Sequence, residues 1–120
     1  MPSQAFQDLR AALPPDIPVF EGKAGDDLTI AVDVNDMQFP YSVNFQGSTL
    51  IFGFVDRAET VENLQPGKYT LSWTFHHGSK NWKHEVTATL GQKPATVLDS
   101  RCEAKKDRPF RVGVAFFVIE

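Results

Sequence analysis

Between Tyr69 and Leu90 two alternating runs mirror each other across a short polar tip. Tyr69, Leu71, Trp73 and Phe75 interleave with Thr70, Ser72, Thr74 and His76, and then Trp82, His84, Val86, Ala88 and Leu90 interleave with Lys83, Glu85, Thr87 and Thr89. A period of two is the signature of a strand with one buried face. With Ser79 and Lys80 at the turn, Trp73 would face Val86, Leu71 would face Ala88 and Tyr69 would face Leu90, as in a β-hairpin. Two further segments alternate in the same way. Leu28, Ile30, Val32 and Val34 predict a strand after the Gly25, Asp26, Asp27 turn. A turn at Gly47 and Ser48 would set Phe45 against Leu50, Val43 against Phe52 and Tyr41 against Phe54.

The ends of the chain depart from simple alternation. Phe6, Leu9, Ala12 and Leu13 fall at helical spacing and Pro14 and Pro15 follow at once, which predicts a short amphipathic helix stopped by proline. Pro14, Pro15 and Pro18 then read as an extended connector. From Phe110 to Glu120 both faces are apolar, with Val112, Val114, Phe116 and Val118 on one and Ala115, Phe117 and Ile119 on the other. Such a strand is buried on both sides. The helix is the expected cover for Phe117 and Ile119, making Phe6, Leu9, Phe117 and Ile119 the candidate interface, whether within the chain or with a second subunit. Asp56 to Glu62 predicts a loop or short edge strand, and Thr96 to Leu98 a short strand.

About seven strands with no helix between them predict an all-β, antiparallel β-sandwich, with a closed barrel as the alternative. Residues 1–18 form the helix and connector, and residues 19–120 a single sandwich domain. The run Asn63 to Leu71, NLQPGKYTL, resembles the Leu-x-Pro-Gly-x-Tyr-x-Leu segment of transthyretin-like and carboxypeptidase-regulatory-like sandwich modules. It covers nine residues, and a Pro-Gly turn into an aromatic strand also occurs in immunoglobulin-like sandwiches. The resemblance implies that Tyr69 points inward and that the role is non-catalytic.

Composition narrows the function. At 120 residues the chain holds one domain, and 42% hydrophobic with 22% charged residues is ordinary for a folded one. A net charge of −3 supplies no field to gather phosphates, which argues against nucleic acid. The single Cys102 allows no internal disulfide. The start of the chain has no leader pattern and no run is long enough to span a membrane, so the expectation is a soluble cytoplasmic protein, or an exported one if a leader was removed.

The candidate chemistry gathers at the tip from His76 to Trp82. His77 and His84 would be diagonal neighbours on one face, and two imidazoles suit zinc or copper, although a third ligand is missing. Trp82, with His76, His77 and Lys80 around it, suits stacking on a sugar ring. Asp26, Asp27, Asp33, Asn35 and Asp36 lack the spacing of a calcium loop and read as turn residues. Lys105, Lys106, Arg108 and Arg111, offset by Glu103 and Asp107, read as a solvated or ion-pairing rim. No nucleophile, phosphate loop or carboxylate pair marks an enzyme, and no cofactor is implied. The leading expectation is a non-catalytic module acting by protein interaction, self-association or structural assembly, through edge strands or the last strand. A carbohydrate-binding module using Trp82 is the alternative, and a metal-binding module using His77 and His84 the third.

Overall fold

In the computed structural model, which describes residues 3–34, 40–76, 83–101 and 110–120, the chain is a β-sandwich with one short helix. The helix α1 (Gln4–Ala12) is capped by Ser3, whose Oγ accepts from the Phe6 amide at 3.0 Å. Nine strands follow among the described residues: β1 (Val19–Gly22), β2 (Leu28–Asp33), β3 (Tyr41–Phe45), β4 (Ser48–Gly53), β5 (Arg57–Val61), β6 (Gly67–His76), β7 (His84–Leu90), β8 (Thr96–Arg101) and β9 (Phe110–Ile119). They form a five-stranded sheet in the order β1-β9-β6-β3-β4 and a four-stranded sheet in the order β5-β2-β7-β8. The β1–β9 pair is parallel and the other pairs are antiparallel.

The mirrored runs are therefore not a hairpin. β6 pairs with β3 and β9 while β7 pairs with β2 and β8, so the chain crosses from one sheet to the other between them. Leu71 lies across from Phe45 and Ala115, and Leu90 across from Leu28. The alternation is nonetheless obeyed, since Leu71, Trp73 and Phe75 and then Val86, Ala88 and Leu90 are all buried. A buried face looks the same in sequence whether its neighbour is beside it or across the core.

The β3–β4 hairpin forms, but its turn falls one residue earlier and its ladder has an irregularity. Gln46 and Gly47 occupy the turn, both at positive φ (53° and 79°), and the Gln46 carboxamide accepts from the Thr70 amide at 2.7 Å. Past the turn, Asn44 pairs with Thr49 but Val43 with Ile51, so Leu50 is the extra residue of a β-bulge. That one residue reverses the two faces for the rest of β4. Ile51 is buried and Gly53 sits opposite Tyr41, whereas Phe52 and Phe54, expected inside, point out.

The last strand is likewise turned from the expectation. Phe117 and Ile119 are buried in the layer between the sheets, Phe117 stacked on Phe20 with centroids 5.2 Å apart, so they are neither an outer interface nor the seat of the helix. The opposite face of β9 meets the helix side of the sheet. Glu21 shares that face with its partner Val118 and accepts from the Ser3 amide and hydroxyl at 2.9 and 3.0 Å. Phe6 and Leu9 are half-buried. The proline segment is a turn, not a straight spacer: Pro14 accepts from the Ile17 amide, and Arg10 donates to the carbonyls of Pro14 and Ile17.

Tyr69 is half-buried against the core. Its hydroxyl donates to the Gln65 carbonyl at 2.7 Å and its ring stacks on Phe45, while Leu64 fills the core end of the turn.

Gly113, across from Trp73, leaves room for the indole. An added Cβ would lie 2.2 Å from Trp73 Cε2. Gly113→Ala is expected to cost about 1–3 kcal/mol by overpacking. Urea unfolding checks this, and the penalty should shrink in a Trp73→Phe background; an equal penalty in both backgrounds would contradict the packing account.

Candidate functional site

A polar cluster closes one end of the sandwich, and it draws on both sheets. Trp73 of β6 and Arg111 of β9 come from one sheet, His84 of β7 and Asp99 of β8 from the other. Asp99 Oδ2 accepts from Trp73 Nε1 at 2.8 Å, from His84 Nε2 at 3.2 Å and from Arg111 Nε at 3.1 Å. An ionised carboxylate only accepts, so the proton of His84 toward it sits on Nε2. The His84 ring also lies flat against Phe75, with centroids 3.9 Å apart.

A second bulge aims the carboxylate. Thr87 pairs with Val97 and Val86 with Asp99, leaving Leu98 as the extra residue. Without it Asp99 would alternate outward with Val97; with it, Asp99 shares the inward face of Val86. Burial is the largest single influence on Asp99 and pushes its pKa up. Hydrogen bonds from His84, Arg111 and Trp73, together with the Arg111 charge, outweigh it and hold the carboxyl well below the usual range.

This cluster is a clamp rather than an open site. His84 and Trp73 are sealed in the core and only Arg111 reaches solvent. His84 thus has its Nε2 committed to Asp99. Its expected metal partner His77, and Lys80 and Trp82 of the expected sugar site, lie outside the described residues. No group of three potential metal ligands gathers among the described residues. His76 ends β6, half-buried, with its ring edge-on to Phe110 at 4.7 Å. Asp26 and Asp27 accept from the backbone amides of Lys23 and Asn63, as turn residues do.

At the opposite end, a cleft of about 370 Å³ is lined by Glu21, Lys23, Asp26, Leu90, Lys93 and Glu120. Lys93 Nζ already donates to the Glu21 carbonyl and Asp26 accepts within its turn, so these polar groups serve the fold.

The open surface is elsewhere, on the outer face of the five-stranded sheet. Register aligns Phe52, Ser42, Thr74 and Val112 across β4, β3, β6 and β9, with His76 and Phe110 in the next row and Phe54 just past β4. Phe52 is 62% exposed, Phe54 49%, Phe110 56% and Val112 63%. Among the described residues of this face, Ser42, Asn44, Thr70, Ser72 and Thr74 carry no charge, whereas Lys68 at the far end of β6 and Glu21 on β1 do. The outer face of the other sheet differs, with Asp33 beside Glu85. Alternation alone puts Phe52 and Phe54 in the core and gives Asp99 no special place; both errors trace to bulges, which alternation does not announce.

Because its folded-state pKa lies below the unfolded value, Asp99 stabilises the fold fully at neutral pH, and that contribution is lost as pH falls below about 3.9. Asp99→Asn should cost about 1–3 kcal/mol at neutral pH and flatten the acid loss of stability. Urea midpoints at neutral and acidic pH test this, and an unchanged acid slope in the variant would count against the clamp.

Compared with known proteins, the chain matches no family model, no curated protein and no solved structure.

Proposed function

We propose that this chain is a non-catalytic β-sandwich module that works by protein–protein interaction or assembly, through the outer face of its five-stranded sheet. One observation carries the reading: Phe52 and Phe54 on one side of that end of the face, and Phe110 and Val112 on the other, stand exposed with the uncharged Ser42 and Thr74 between them. Single apolar residues are ordinary on a surface, and several exposed on one flat sheet face mark where binding concentrates. Each buried phenylalanine would contribute roughly 1.5–3 kcal/mol that solvent exposure forgoes. The resemblance of Asn63 to Leu71 to largely non-catalytic sandwich modules supports the same reading, as does a His84–Asp99 pair that substrate cannot reach.

A photo-crosslinking side chain tests it. Placed at Val112 in cells of the source organism, it should form protein adducts, while the same group at Thr87 on the other sheet should form few. Equal yields at the two positions would refute the assignment of this face.

A further inference from the structure

A strand at the edge of a sheet keeps its place mainly by burying apolar side chains, and β8 has few to bury. It closes one side of the four-stranded sheet and pairs only with β7. Thr96, Val97 and Ser100 are exposed and Leu98, the bulge residue, is half-buried. Among the described side chains of β8, Asp99 alone is buried. We infer that β8 is a releasable strap: Asp99 is the latch that holds it, and the strand leaves β7 as a unit while the rest of the sandwich stays folded.

The latch reaches across the core. Asp99 is bonded to Trp73 and Arg111 of the opposite sheet as well as to His84 beside it, so letting go of one carboxylate frees β8 from both sheets. The backbone ladder gives less support than its length suggests. The bulge divides it into Asp99–Arg101 against His84–Val86 and a short second part in which Val97 and Thr96 meet Thr87 and Ala88.

The chemistry of the latch lowers the cost of release. A strand held by leucine or valine must expose that side chain to water when it leaves. Asp99 instead regains hydration that burial had taken from it, and the donor groups of Trp73, His84 and Arg111 regain water as well. Opening is therefore governed by one polar cluster rather than by the apolar layer, and it lies below global unfolding in free energy. It uncovers the edge of β7 from His84 to Ala88 and wets the end of the layer where Trp73 and His84 are sealed.

Native-state hydrogen exchange of the purified full chain, followed by NMR at low urea concentrations, reads this out. The β8 amides bonded to β7 should exchange together, with little urea dependence and faster than those of β2 and β3, and the Trp73 indole N–H should exchange with them. Asp99→Asn should speed β8 exchange by about tenfold or more. Arg111→Gln, which removes one donor and leaves the core closed, should act in the same direction by a smaller factor, and it carries the test if Asp99→Asn does not fold. Ile51→Val, on β4 at the far edge of the other sheet, should speed exchange in β2 and β3 several-fold and leave β8 unchanged. A β8 that exchanges with the urea dependence of global unfolding overturns the strap, as does one that responds to Ile51→Val as β2 does. Exchange in β8 indifferent to the loss of latch bonds overturns the role of Asp99.

Discussion

Two sheets share a single dry layer, and the strands give that layer one face, the edge strand β5 through half-buried Val61. Leu28, Ile30, Leu71, Phe75, Val86 and Phe117 meet there from both sides and are almost wholly buried. Side chains on a strand alternate strictly, so the layer dictates which residues are left for solvent. The buried clamp and the exposed patch both depend on where that parity holds and where it is reset.

Among the described residues it is reset twice, each time by one residue. Leu50 in β4 turns Ile51 inward and Phe52 outward, converting a core aromatic into a surface one. Leu98 in β8 turns Asp99 inward, under Trp73, His84 and Arg111. A buried carboxylate is costly unless it is paired and fully bonded, and these three donors meet that condition. The clamp ties the sheets together at the end where β6 leaves one sheet and β7 joins the other. Its chemistry is spent on architecture.

The division of the two outer faces is the other consequence. Charge sits on the four-stranded sheet and along most edges, while the five-stranded sheet shows serine, threonine and asparagine framed by phenylalanine and valine. That sheet meets the N-terminal segment on its β1 side, where Ser3 holds Glu21. At the other end Phe110 and Val112 are exposed.

Much of the architecture is legible in the chain. The proline-stopped helix, the strands and the all-β class follow from periods of two and near four in hydrophobicity, because burial of one face is a local demand that each segment states for itself. The inward Tyr69 follows from its place in the alternation with Leu71, Trp73 and Phe75. Pairing is not legible. Tyr69 to Leu90 reads as a hairpin because an inward face is the same whether its strand's neighbour lies beside it or across the core, and only tertiary structure separates β6 from β7. Bulges are equally silent, since an extra residue leaves no mark in composition but moves Phe52, Phe54 and Asp99 to the opposite side of their sheets. The sequence by itself determined which segments have a dry face; the tertiary structure decided which residues share it, because strand partners and register are set by contacts between residues far apart in the chain.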